Sequence, residues 1–259
     1  MDMTGWGMFR NCVVTATFAA LVVAGCGGTR QTPPPSSAPS PPVHRCTAGT
    51  RSLAGSTTVA WAAAAQRPTT AFRTPGGTAI ERFGVVNINK AAMVFGVLGE
   101  RVDARCRVSW LRVALPIRPN GATGWVRAAN VVRTPVRTRI TVDLSERRVR
   151  LYRDGRLVLT APAAIGSSAT PTPLGRYYVN QRLIPSDPNG PYGPGAVGIS
   201  AFSPVLTGWA QGGPIAIHGT NEPWSIGHAV SNGCIRIPNA ALRKLFPLAV
   251  SGTPVLIRR

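Results

Sequence analysis

Residues 215–239 read Ile-Ala-Ile-His-Gly-Thr-Asn-Glu-Pro-Trp-Ser-Ile-Gly-His-Ala-Val-Ser-Asn-Gly-Cys-Ile-Arg-Ile-Pro-Asn. The stretch opens as a short apolar strand that delivers His218 at its end, and it closes on Ser231-Asn232-Gly233-Cys234, a tight turn that presents a thiol. Between the two, Gly219, Pro223 and Gly227 mark a loop that can fold back and carry His218 beside Cys234. A free thiol is mostly protonated at neutral pH and its thiolate is the nucleophile, so a base or a cation must stand beside it. Gly233 lets the backbone approach a substrate carbonyl, and the amides of Gly233 and Cys234 are candidates for an oxyanion hole. The residues therefore point to covalent acyl transfer, with Cys234 as nucleophile and His218 as general acid and base.

An Ile-His-Gly strand end, a loop, and then Ser-x-Gly-Cys-Ile-Arg-hydrophobe-x-Asn resembles the signature of the YkuD-type L,D-transpeptidase catalytic domain. The resemblance is not confined to that motif. Val149-Arg150-Leu151-Tyr152-Arg153-Asp154-Gly155 resembles the way that domain begins, and Ile165-Gly166 through Thr172-Pro173-Leu174-Gly175-Arg176-Tyr177 resembles its next segment. Many members carry a second His before the Gly-Cys, a position held here by Asn232, so no role of that His transfers. The family likeness implies that Cys234 attacks the carbonyl of the third residue of a peptidoglycan tetrapeptide stem and expels D-Ala. His218 would activate the thiol and shuttle the proton, oriented by the backbone carbonyl of Gly219 in the way a carboxylate orients it elsewhere. Ser231, Asn232, Arg236 and Tyr192 are the implied substrate contacts, with Arg236 either binding a carboxylate or bracing the loop. Pro185 to Gly195, which contains Tyr192, corresponds to a lid that would exclude water. The implied product is a 3→3 cross-link, and no cofactor is implied. With water as acceptor the same site is an L,D-carboxypeptidase, and an inactive wall-binding lipoprotein is the alternative from another class.

The formal charge is +20, from 29 basic against 9 acidic residues. The Arg residues are spread along the chain with no basic helix or recognition motif, which argues against a nucleic-acid partner. A G+C-rich codon bias and attraction to an anionic polymer or membrane surface both account for the charge. Arg10 followed by the apolar run Cys12 to Val23 reads as a signal segment too short to span a bilayer. Leu21-Val22-Val23-Ala24-Gly25-Cys26 resembles a bacterial lipobox, so residues 1–25 are expected to be removed and Cys26 lipidated. Residues 26–45, rich in Pro and Ser, read as an extended tether. These features imply a chain held by lipid on the outer face of the cytoplasmic membrane, in the cell envelope; a monomer is expected, and the family likeness implies peptidoglycan stem peptides as its partner.

Of the remaining cysteines, Cys46 and Cys106 bracket a small domain and an exported chain permits their disulfide, whose loop of about 60 residues would contribute ~4 kcal/mol. Cys234 is then left unpaired. The fold expected is mostly β: a small β-barrel over residues 46–134, then a β-sandwich of the L,D-transpeptidase type over 137–259 with a short helix after Cys234. In the first, Thr78–Glu81, Val85–Ile88, Met93–Leu98, Trp110–Leu115 and Gly124–Val126 read as strands. The run from Trp110 through Asn120-Gly121 to Trp125 resembles the closing hairpin of a bacterial Src-homology-3-like domain. Trp110 and Trp125 suit strand packing better than ligand stacking. In the second domain, Ile140–Leu144 and Val149–Tyr152 alternate and Asp154-Gly155 turns. Asn239 reads as N-cap of a helix over Ala240–Phe246, and Gly252–Ile257 as a final strand.

Other chemistries fit less well. The carboxylates are scattered, which disfavours a glycosidase pair. No Gly-x-Ser-x-Gly elbow is present. His218, His228 and Cys234 lack the spacing of a zinc site, so no metal is expected. His228, the rival base, reads as a solvated loop residue.

Overall fold

A computed structural model of the chain describes residues 47–53, 56 and 58–259. The signal segment, Cys26, the Pro/Ser tether and the Cys46 half of the expected disulfide lie outside the described residues. The first sheet is built from β1 (Gly49–Ser52), β2 (Ala60–Ala65), β3 (Thr69–Phe72), β4 (Ala79–Phe83), β5 (Val94–Val102), β6 (Val108–Ala114), β7 (Thr123–Arg127) and β8 (Val131–Val136). Its order is β4-β3-β7-β6-β5-β2-β8, with β1 paired to β5. Phe95, Leu111, Val113, Leu115 and Val126 fill its core, and Phe83 meets Phe95 edge to face at 5.1 Å. Trp110 packs on Phe72 at 5.6 Å with the Arg127 guanidinium 4.7 Å above it, so its ring belongs to the strand face.

One expectation fails in this sheet, and one strand in it was not expected. Val85–Ile88 is not a strand. Asn87 Oδ1 accepts the N–H groups of Asn89 and Ala91 there, which folds the chain into a turn with only a Val86–Ala92 bridge. Asn side chains compete with ladder pairing in this way. Ala60–Ala65 is a strand although alanine has low β propensity, because β5 and β8 pair with it from both sides.

The second domain follows with β9 (Thr138–Asp143), β10 (Arg148–Arg153), β11 (Arg156–Pro162), β12 (Ile165–Gly166), β13 (Gly175–Leu183) and β14 (Ala196–Phe202). Then come β15 (Pro214–His218), β16 (Ala229–Ser231), β17 (Ile235–Arg236), α1 (Asn239–Leu248) and β18 (Pro254–Arg258). The strand order is β11-β10-β9-β18-β13-β14-β15-β17. β13 pairs β18 through Gly175–Tyr178 and β14 from Val179 onward, so it passes from one layer of a sandwich to the other. Between the layers lie Ile140, Val142, Val149 and Leu151 from one side and Val197, Ile199, Ile215, Ile217 and Ile235 from the other. Each fully buried Ile or Leu contributes roughly 1.5–3 kcal/mol. Leu242 and Leu245 of α1 join the same core.

The helix departs from expectation. Asn239 is its first residue, Pro238 occupies the cap position without a side-chain cap bond, and Pro247 lies inside the last turn. The Asn239 side chain instead accepts the Thr220 N–H at 2.8 Å and donates to the Thr220 carbonyl at 3.0 Å. It ties the helix start to the loop after His218 rather than capping the helix.

The two sheets meet through apolar contacts, Gly96 against the Tyr178 ring and Gly252 against Ala62 and Val136, and through polar groups. Arg118 donates to the carbonyls of Ser203 and Gly212 at 2.7 and 2.6 Å, and Asn120 exchanges two hydrogen bonds with the Phe202 backbone at 2.8 and 2.9 Å. Residues 45–259 accordingly cluster as one compact unit.

Candidate active site

β15 alternates Ile215 and Ile217 inward, which leaves Ala216 and His218 on the opposite face. β17 pairs with β15 in parallel, Ile217 opposite Ile235 and His218 opposite Arg236. A parallel neighbour must begin at the same end as its partner, so the loop after His218 crosses back before the chain turns at Gly233. Cys234, one position ahead of β17, therefore stands beside Ala216 and diagonal to His218. The diagonal is roughly 8 Å between Cα positions, a span that a histidine leaning along its strand can close. The thiol points at the Pro214 carbonyl, 4.0 Å away. Cys234 is the free cysteine among the described residues.

His218 is only 4% exposed, and its Nδ1–H donates to the Gly219 carbonyl at 2.6 Å, which leaves the lone pair on Nε2. Gly219 cannot be larger. A Cβ there would lie 2.3 Å from Asn239 Oδ1 and 2.8 Å from Pro194 Cδ, so the β13–β14 loop and the helix start both close on this glycine. Tyr192, half-exposed on the loop between β13 and β14, meets the His218 ring edge to face at 5.0 Å. Burial lowers the His218 pKa to about 4, opposed by the hydrogen bond to Gly219 and assisted by the Arg236 charge. Burial likewise raises the Cys234 pKa, against a lowering by the Ala216 backbone hydrogen bond and by Arg236. At neutral pH the resting pair is a thiol and a neutral imidazole.

The turn carrying Cys234 is held from both sides. Gly233 has φ +108°, a left-handed conformation that disfavours a side chain. Its N–H donates to Ser231 Oγ at 3.2 Å, and Ser231 Oγ donates to the Cys234 carbonyl at 2.6 Å. The Gly233 amide, expected as an oxyanion donor, is thus engaged inside its own serine turn. The Cys234 amide is the turn's remaining candidate. Ser231 braces this turn and is buried. Arg236 forms an ion pair with Glu222, so it braces the loop between His218 and the turn. Asn232 is exposed and lines the same cleft as Cys234 and Tyr192, whereas His228 is exposed on the loop.

Sequence reasoning passed over four residues that position this site. Asn239 and Glu222 act as described above. Thr170 Oγ1 donates to the Ser231 carbonyl at 2.9 Å. Thr172 Oγ1 accepts the Gly166 N–H at 2.8 Å and donates to the Gly233 carbonyl at 2.9 Å. Thr172 lay within a quoted motif, yet nothing local to it announces a partner 61 residues away. Replacing Thr172 with Val keeps the shape and orphans two backbone groups. The expected cost is roughly 2–4 kcal/mol, read as a lower urea midpoint at unchanged slope.

A strand-end histidine and a glycine-turn cysteine thus stand on neighbouring strands at the edge of the β-sandwich. Residues 137–257 match the family model YkuD, described as the L,D-transpeptidase catalytic domain. Over 119 residues the chain is 41% identical to the "Putative L,D-transpeptidase YkuD" of Bacillus licheniformis, covering 46% of this chain and 64% of that protein. The protein of the same name in Bacillus subtilis is 37% identical over 120 residues, 46% of this chain and 65% of its own length. The chain thus covers less than two thirds of either relative. Among solved structures, the catalytic domain of the Enterococcus faecium L,D-transpeptidase is 27% identical over 47% of this chain and 96% of that one, with a TM-score of 0.35.

Proposed function

We propose that the chain is a peptidoglycan L,D-transpeptidase that forms 3→3 cross-links through a Cys234 acyl-enzyme. What supports the reading is the place of Cys234, which the β15–β17 register, continued by one residue, sets opposite Ala216 on the strand face that carries His218, within residues 137–257 that match the L,D-transpeptidase model. On binding of a tetrapeptide stem, His218 Nε2 takes the thiol proton as Sγ bonds to the carbonyl carbon of the third residue. The tetrahedral oxyanion forms beside the Cys234 amide. Collapse breaks the bond to D-Ala, and His218 returns the proton to the departing amine. The same nitrogen then deprotonates the acceptor amine, which attacks the thioester and regenerates the thiol. The Gly219 carbonyl keeps Nδ1 protonated throughout. Tyr192 and Asn232 contact the stem, and Arg236 with Ser231 keeps the turn in place.

The cellular setting belongs to the same proposal. A lipid on Cys26, the Pro/Ser tether, a Cys46–Cys106 disulfide and a Src-homology-3-like module would hold a monomer in the envelope, within reach of the wall. Incubation with disaccharide-tetrapeptide, read by mass, tests the activity. A cross-linked dimer is the expected product. A tripeptide without dimer would make the enzyme a hydrolase, and an unchanged substrate with no thioester on Cys234 would leave only wall binding.

A further inference from the structure

The cleft that Cys234 opens onto has a volume of about 580 Å³ and extends well beyond the thiol. Its walls are mostly apolar side chains and backbone, and no Asp, Glu, Lys, Arg or His lines it among the described residues. Its side-chain polarity is concentrated in carboxamides: Asn232 beside the thiol, and Gln181, Asn89 and Gln211 further along. Asn89 comes from the first sheet, so the catalytic cleft is completed by a residue outside the catalytic domain.

These amides are held in place. Gln181 is 8% exposed, and its Oε1 accepts from Asn87 Nδ2 at 2.7 Å and from Asn89 Nδ2 at 3.1 Å. Asn89 and Gln211 exchange hydrogen bonds at 3.0 and 3.3 Å. Asn87 Oδ1, by accepting two backbone N–H groups, rigidifies the turn that presents Asn89. A register shift in the β13–β14 pairing between Val179 and Gln181 makes Asn180 a bulge, and bulges re-aim side chains. Here the bulge sends Gln181 across Gly198, where an added Cβ would lie 2.7 Å from Gln181 Cγ. The same bulge leaves Asn180 Oδ1 buried without a hydrogen-bond partner. Plain strand pairing would avoid that penalty. With Oε1 taken, Gln181 Nε2 plays no part in the network and is a donor in an uncharged cleft.

We infer that Gln181 and Asn89 form a specificity subsite that binds a secondary amide of the substrate. Gln181 Nε2 donates to the amide oxygen, and the absence of charge in the walls selects an uncharged segment. This inference rests on the proposed function for its substrate class. A secondary amide occurs both in the peptide stem and in the N-acetyl groups of the sugars, and the test separates the two.

Full-length chain carrying Cys234→Ala, labelled with nitrogen-15, is titrated with free tetrapeptide, with the disaccharide alone and with disaccharide-tetrapeptide. The side-chain amide signals of Gln181 and Asn89 are expected to shift, and adding Gln181→Ala or Asn89→Ala is expected to raise Kd about tenfold. The peptide and sugar arms show which amide is held. Because Gln181 is buried, Asn89→Ala and the exposed Gln211→Ala carry the test if Gln181→Ala fails to fold. Unmoved amide signals, unchanged Kd in the folded variants, or a parent that binds none of the three probes would overturn the subsite. This readout needs no turnover, so it fails or succeeds independently of the dimer assay on the unmodified chain.

Discussion

Cys234→Ala is expected to keep its fold and lose nearly all acyl transfer. Sγ makes only weak contacts, to the Pro214 carbonyl and the Ala216 backbone, and lies at the cleft wall rather than in the core. Truncation should therefore change stability by less than about 1 kcal/mol. The covalent step has no substitute, so the expected fall in kcat/KM is on the order of 10⁴–10⁶. Intact-mass measurement with substrate checks it, as does alkylation mapped to residue 234: the unmodified chain gains one adduct there and the variant gains none. Residual thioester formation in the variant would sink the assignment.

The second large effect concerns His218. His218→Gln is expected to lower the acylation rate by about 10²–10⁴, the usual contribution of a positioned base. In the unmodified chain the pH profile carries further information. The imidazole must be neutral to accept the thiol proton, and burial lowers its pKa to about 4. The acid limb of kcat/KM should therefore fall near pH 4 instead of at the ordinary histidine value, and activity should persist at pH 5.5.

The same shift acts on stability, with a definite sign. A histidine of normal pKa in the unfolded chain binds a proton below about pH 6.5, whereas the folded one does not until about pH 4. Folding is then penalised progressively as pH falls from 6.5 to 4, by roughly 3 kcal/mol in all. Urea unfolding of His218→Gln at several pH values should lack that contribution. An equal slope in variant and parent would show that His218 is not buried in its neutral form.

How much of this was legible beforehand differs from element to element. Ile140–Leu144 and Val149–Tyr152 alternate, and they form β9 and β10 joined to β11 through Asp154 and Gly155, both at positive φ. Strand period and turn chemistry are local, so pattern alone exposes them. The Ala60–Ala65 strand was hidden because its composition carries no β signal and its pairing comes from distant strands. Val85–Ile88 misled for the opposite reason. Its composition is that of a strand, but one asparagine side chain supplies the hydrogen bonds that a neighbour would have made.

The site divides along the same line. Cys234 and His218 as candidates follow from residue chemistry, the Gly219 carbonyl behind the imidazole was implied by the family likeness, and the free thiol was expected from the cysteine count; the structure shows the last two. Their placement does not. The parallel pairing of β15 with β17 sets Cys234 beside Ala216 and leaves a diagonal to His218, and that pairing is a property of the sheet. Thr172 on the Gly233 carbonyl, Asn239 on Thr220, Glu222 on Arg236 and Asn89 on Gln181 join positions 61, 19, 14 and 92 residues apart. By itself the sequence determined which atoms can do chemistry, since reactivity belongs to the side chain and its immediate neighbours. Only the tertiary structure decided how those atoms are aimed, buried and walled in, because each of those contacts forms only when the chain closes on itself across a long loop.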